Sequence, residues 1–148
     1  MFNRRIDTII YNNMQQFFEN KSAKVYYDPA LDALVLEYTN KVLNHEQFVT
    51  INTAARDAFQ KSKTRKFIAD IRKMGVISIE SQKWIVDNLI PAMIKHLNGK
   101  NPIIVQLMDD SDVFAKTAAN NIKKKAENDI GVTQFTDRVK MEAYLKSV

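Results

Sequence analysis

Lys66-Phe67-Ile68-Ala69-Asp70-Ile71 breaks the period of the sequence before it. Phe48, Ile51, Ala55 and Phe59 recur at helical spacing, whereas Phe67, Ile68, Ala69 and Ile71 form a short apolar run. Such a run is the pattern of a strand covered on both faces, which is how strands of a parallel sheet read. Two further segments repeat it downstream: Pro102 to Leu107, and the shorter Val132 to Phe135.

Between these strands the period returns to that of a helix. Ser78 is placed to cap a helix running to about Leu97, with Gly99 as its stop. Ile85, Val86, Leu89, Ile90, Met93, Ile94 and Leu97 give it a broad apolar face, and Pro91 inside it predicts a kink because proline lacks the N–H of the helical ladder. Ser111 is positioned to cap a helix whose Phe114, Ala118 and Ile122 share a face. Asp137 is positioned to cap a terminal helix packed through Val139, Ala143 and Leu145 or Tyr144. Strand and helix thus alternate three times, the signature of crossovers linking parallel strands.

Upstream, Val25 to Tyr27 and Leu34 to Tyr38 flank Asp28-Pro29-Ala30-Leu31-Asp32, a turn composition, and read as a β-hairpin. Asn44 followed by Gln47 resembles a capping box and starts the helix of Phe48, Ile51, Ala55 and Phe59. Residues 1–21 stay open: Ile6, Ile10, Met14 and Phe17 fit a helix, while Phe18-Glu19-Asn20 suits an edge strand. The predicted fold is one α/β domain over residues 1–148, a mixed sheet with an N-terminal antiparallel hairpin, three parallel strands and four main helices.

Composition bounds the function classes. The chain has 148 residues, 45% of them hydrophobic and 26% charged, values of an ordinary globular domain with one core. It contains no cysteine, which removes disulfides, thiolate metal sites and a cysteine nucleophile, and fits a reducing compartment. The longest apolar runs fall far short of the roughly 20 residues of a membrane helix. Met1 to Arg5 carry two arginines but lead into Asp7, Asn12 and Asn13, so a cytoplasmic location without a secretory leader is expected.

The run Tyr27-Asp28-Pro29, the strand ending Leu36-Glu37-Tyr38, the stretch Phe67 to Met74 and the helix with Gln82-Lys83-Trp84-Ile85 together resemble the bacterial SpoIIAA-like proteins. These are relatives of the STAS domains, the anti-sigma-factor antagonists, and the resemblance covers the chain from Phe17 onward. It implies a small α/β sandwich, a fold also similar to CRAL-TRIO lipid-transfer domains. In the signalling members a phosphorylatable serine follows an aspartate after a central strand. Asp70 stands where that aspartate would be and Ile71 follows it, which leaves Ser78 or Ser81 as the candidate phosphoacceptor.

In open α/β sheets ligands collect beyond the carboxyl ends of the parallel strands. The predicted edge therefore holds Asp70, Arg72, Lys73 and Ser78, then Asp109, Asp110 and Ser111, then Thr136 and Asp137. The structural alternative is that Asp70 and Arg72 pair while the serines and Asp137 cap helices. His45 and His96 are both expected away from this edge, which argues against a Ser-His-Asp triad. Asp109 to Asp112 lack the spacing of a calcium loop, and Gly75, Gly99 and Gly131 match no phosphate-binding motif, so neither metal nor cofactor is expected. The basic runs Lys61 to Lys66 and Lys123 to Lys125 carry no interleaved aromatics, which argues against nucleic acid. Trp84 is expected to project from its helix as an interface residue, suggesting a homodimer. The expected function is a non-enzymatic binding or regulatory module acting through protein-protein contacts. The alternative is a carrier of a small apolar or lipid-like ligand.

Overall fold

The computed structural model describes residues 15–126 and 131–148. Strand β1 (Gln16–Glu19) pairs antiparallel with β2 (Ala23–Asp28), and β2 with β3 (Ala33–Tyr38). Beyond β3 each neighbour runs parallel: β4 (Lys66–Asp70), β5 (Ile103–Leu107) and β6 (Val132–Phe135), in the order β1-β2-β3-β4-β5-β6. The hairpin and the three parallel strands are as expected, and β3 joins them as a fourth. Phe17 and Phe18 lie in the edge strand; Ile6, Ile10 and Met14 lie outside the described residues. In the β2–β3 turn the Asp28 carboxylate accepts from the Ala30 amide at 2.9 Å, and Asp32 takes a left-handed φ of 48°.

Helix α1 (His45–Lys61) connects β3 to β4. Asn44 accepts from the Gln47 amide at 2.8 Å, and the Gln47 side chain accepts from the Leu43 amide at 2.8 Å, a capping box whose return bond reaches one residue further back. Between β4 and β5 run α2 (Ile79–Trp84), a π-helical turn (Ile85–Leu89) and α3 (Ile90–His96). The wide turn lies directly before Pro91. In a regular helix the proline ring would crowd the Asp87 carbonyl, so the strain expected as a kink is taken up by a turn in which the Ile90 amide reaches back to the Ile85 carbonyl.

At the end of α3 the Asn98 amide donates to the Lys95 carbonyl and the Gly99 amide to the Ile94 carbonyl, the two bonds of a Schellman motif. Asn98, at φ 56°, holds the left-handed position expected of Gly99, which follows it at φ 87°. Helix α4 (Val113–Ala126) is capped by Asp112, whose carboxylate accepts from the Ala115 amide at 3.0 Å; the expected cap, Ser111, bonds to Asp109 instead. Ala118 and Ile122 are buried as expected, and the Phe114 side chain lies outside the described set.

Because successive parallel strands step in one direction, crossovers of one hand place their helices on one face of the sheet. The larger core joins Phe48, Ile51 and Phe59 of α1, Leu89 and Met93, and Ile122 of α4 to Leu34, Leu36, Phe67 and Ile104. The other face carries α5 (Arg138–Ser147), in a second cluster with Val35, Ile68, Val105 and Leu107. Asp137 caps α5 as expected, but the packed stripe is Met141, Tyr144 and Leu145, while Val139 and Ala143 are exposed. The bulkier stripe removes more apolar area from water, at about 25 cal/mol per Å².

Candidate partner-binding rim

Parallel register carries the strand ends to a common edge. Glu37 lies opposite Asp70, Asp70 opposite Leu107, and Leu107 opposite Phe135. The Ile71 amide then donates to the Leu107 carbonyl and the Met108 amide to the Phe135 carbonyl, extending the pairing one residue further. The segments after Asp70, after Met108 and around Asp137 therefore meet at one rim, as the alternating pattern predicts.

Asp70 and Arg72 form the most buried charged contact there. The carboxylate is only 4% exposed, and Arg72 holds both its oxygens, Nε to Oδ1 at 2.9 Å and Nη2 to Oδ2 at 2.7 Å. That bond raises the Arg72 pKa further above its ordinary value. Beside it the Tyr26 hydroxyl donates to Glu37 at 3.1 Å, and burial followed by the Glu37 charge pushes the phenol well above its usual range. Sequence reasoning missed both residues as members of this site. The available signal was a lone carboxylate in the apolar run Ala33-Leu34-Val35-Leu36-Glu37-Tyr38. Asp109 is held below the usual carboxylate range, first by the Ser111 hydroxyl and amide and to a lesser degree by Arg72. Asp110 pairs with Lys116 at 2.7 Å.

His45 is at this rim, contrary to expectation. Its Nδ1 lies 2.9 Å from the Ser81 hydroxyl and its Nε2 3.4 Å from Glu80. The Ser78 hydroxyl in turn donates to Ser81 Oγ at 3.0 Å while accepting the Ser81 amide as the cap of α2. The sequence of serine, histidine and carboxylate is that of a triad, but Ser81 is 2% exposed and Glu80 is open to water. The Ser81 hydroxyl is held between His45 Nδ1 and the Ser78 hydroxyl, so the chain of bonds braces the first turns of α1 and α2 against each other. The brace continues through the Val42 amide, which donates to the Met74 carbonyl, and through Gly75, whose φ of 74° lets the turn pass the Lys41 side chain. A Cβ there would meet Lys41 Cγ at 3.0 Å.

Around this brace the surface is aliphatic. Leu43 is 81%, Ile79 73% and Val76 62% exposed, and Leu43, Val76 and Ser78 line a cleft of about 150 Å³ together with His45 and Ser81. Val113 and Val139, in the first turns of α4 and α5, are the other large exposed apolar side chains among the described residues apart from Val148. All five lie in loops or first turns beyond the carboxyl ends of the strands. Arg72, Lys73 and Ser78 are exposed among them.

Comparison with family models, curated proteins and solved structures gives no match for this chain.

The remaining candidates lie elsewhere or are engaged in packing. Trp84, expected to project, is half-buried against the larger core. Of the basic run Lys61 to Lys66, Arg65 donates to the Asn101 carbonyl and Lys66, the first residue of β4, to the Leu145 carbonyl. Among the described residues no three His, Asp or Glu side chains are grouped to hold a metal, and no helix is long and apolar enough to cross a membrane.

Proposed function

We propose that the protein is a binding or regulatory module of the SpoIIAA-like type, acting through protein-protein contacts at the carboxyl rim of its sheet. The observation that carries this reading is the concentration of exposed aliphatic side chains on that rim: Leu43, Val76, Ile79, Val113 and Val139. Exposed apolar groups grouped on one edge, with polar residues between them, mark interaction sites, whereas scattered ones carry no such meaning. Arg72, Lys73 and Ser78 add the hydrogen-bonding periphery of a protein interface. Ser78 is an exposed residue whereas Ser81 is 2% exposed, which makes Ser78 the better placed of the two candidate phosphoacceptors once its hydroxyl leaves the cap of α2. A phosphate there would add charge at the centre of the rim and alter partner affinity.

The lipid-carrier reading has less support, since the cavity between sheet and helices is about 50 Å³. Pockets that enclose drug-sized ligands measure roughly 300–1,000 Å³. Self-association through Trp84 has only part of one indole to offer. The test is the triple variant Leu43→Ser, Val76→Ser, Ile79→Ser. It should unfold at the same temperature as the parent within about 3 °C and lose a partner that co-purifies with the parent; an unchanged partner yield would count against the rim.

A further inference from the structure

Helices α1, α3 and α4 each return the chain to the amino end of the sheet, because each precedes a parallel strand that starts there. Their last turns carry Lys61, Lys95 and Lys123 to Lys125. Helix α1 packs against α2 and α3, and α4 against α2 and the π-helical turn, so the three ends form a row. A cation in a last turn favours the helix dipole, which accounts for Lys61 and Lys95 one by one. It does not account for Lys63, which lies beyond the end of α1.

At the α1 end of the row lies a cleft of about 300 Å³ lined by Lys61, Lys63, Phe17, Tyr27, Asp32 and Thr64. The lysine run carries no aromatic of its own, yet the fold brings Phe17 of β1 and Tyr27 of β2 to it. Both residues are half-buried, and among the described residues neither ring is paired with another aromatic. The Tyr27 hydroxyl donates to the Asp32 carboxylate at 2.8 Å, which steadies the ring and engages the one carboxylate of the cleft. Lys61 and Lys63 are exposed and have no ion-pair partner among the described residues. The Ser62 and Thr64 hydroxyls donate to the Phe59 and Asp32 carbonyls, so neither hydrogen is left to read the edge of a ligand.

We propose that this cleft and the lysine row bind single-stranded nucleic acid, a base lying against Phe17 and Tyr27 while the lysines follow the phosphates. Aromatic side chains beside a positively charged track are the means by which proteins hold single strands with little regard to sequence. The lysine run alone lacks the aromatic half of that pattern, and chain folding supplies it. A duplex keeps its bases stacked on one another, so it gains the phosphate contacts without the aromatic ones. A lipid surface fits less well, since the large exposed apolar side chains among the described residues sit at the carboxyl rim, apart from Val148. The cleft is at the opposite end of the strands from that rim and stands whether or not the rim binds a partner.

Fluorescence anisotropy of the full chain with labelled oligo(dT) and oligo(U) of about 12 nucleotides tests it, the two strands separating DNA from RNA as the source. A duplex of the same length and poly-glutamate, a polyanion without bases, serve as comparisons. In about 0.1 M salt at least one single strand should bind with a Kd between about 1 and 100 µM. The duplex and poly-glutamate should each bind at least roughly fivefold more weakly. Phe17→Leu, which keeps an apolar side chain but removes the ring, should weaken the single strand roughly fivefold or more. Lys61→Glu with Lys63→Glu should weaken it at least roughly tenfold and make its salt dependence shallower. Should Phe17→Leu fail to fold, the exposed lysine variant and the comparison of polymers on the parent chain decide. No binding of either single strand, equal affinity for the duplex or poly-glutamate, or an affinity indifferent to the lysine reversal would overturn the proposal.

Discussion

Arg72 reaches back two residues to hold both oxygens of Asp70, so a carboxylate almost sealed from water at the end of β4 is neutralised by a guanidinium that remains partly in solvent. The asymmetry of burial makes the two partners unequal. Removing Arg72 strands a charge in the sheet edge, whereas removing Asp70 releases a guanidinium that water can solvate.

Arg72→Ala should therefore destabilise the fold by about 1–3 kcal/mol, a value already reduced for the exposure of Arg72. Arg72→Lys should recover only part of this, because an ammonium cannot form the two-pronged contact. Urea unfolding at neutral pH measures both. An Arg72→Ala variant within about 0.3 kcal/mol of the parent would mean that water or another cation already balances Asp70.

The tyrosines set an alkaline limit on stability. Burial raises the Tyr38 hydroxyl far above its ordinary value, opposed only weakly by the Asn52 bond, and burial together with Glu37 raises Tyr26. Above about pH 10 the unfolded chain loses these protons while the folded chain keeps them, so stability is full below that pH and falls as pH rises. For the enclosed Tyr38 the slope approaches about 1.4 kcal/mol per pH unit. Denaturant midpoints taken from neutral to strongly alkaline pH should show this fall, and Tyr38→Phe should make it shallower. An identical slope in that variant would contradict the assignment.

Ser78 caps α2 through its bond from the Ser81 amide. Ser78→Ala should cost about 1 kcal/mol, while Ser78→Asp, which keeps a capping oxygen, should cost clearly less. Chemical unfolding of the two variants side by side checks this, and equal losses would place the role of Ser78 elsewhere.

Gly75 and Gly99 both adopt a left-handed backbone, but only Gly75 faces a neighbouring side chain, Lys41. Gly75→Ala should destabilise by about 1–2 kcal/mol for the left-handed conformation, plus the cost of displacing Lys41. Gly99→Ala should carry the backbone cost alone. Thermal unfolding distinguishes them, and a larger loss at Gly99 would contradict the close approach at Gly75.

Much of this fold can be read from local pattern because burial on both faces leaves a distinct trace: Phe67 to Ile71 and Ile103 to Leu107 have few polar positions. The meeting of Asp70, Asp109 and Asp137 follows from parallel strands alone. Tyr26 and Glu37 could not be placed beside Asp70, since the pairing of Glu37 with Asp70 is a matter of register between strands about thirty residues apart. His45 was legible as a first-turn residue, but the folding of the loop before α1 onto the loop before α2 was not. The cap of α4 moved from Ser111 to Asp112 because adjacent residues share the same capping chemistry. Trp84 was misplaced for a geometrical reason: the π-helical turn rotates the stripe of α3 relative to that of α2, so one constant period across Ser78 to Leu97 puts the indole on the wrong side.

Site-specific photo-cross-linking in the native cell puts the rim to the most direct test. A photoreactive amino acid is placed at Leu43, Val76 or Ile79, and in a control at Lys100, which precedes β5 at the opposite end of the strands. The three rim positions should capture the same protein and the control should not. Capture from Lys100 alone, or equal capture from every position, would contradict a partner-binding carboxyl rim.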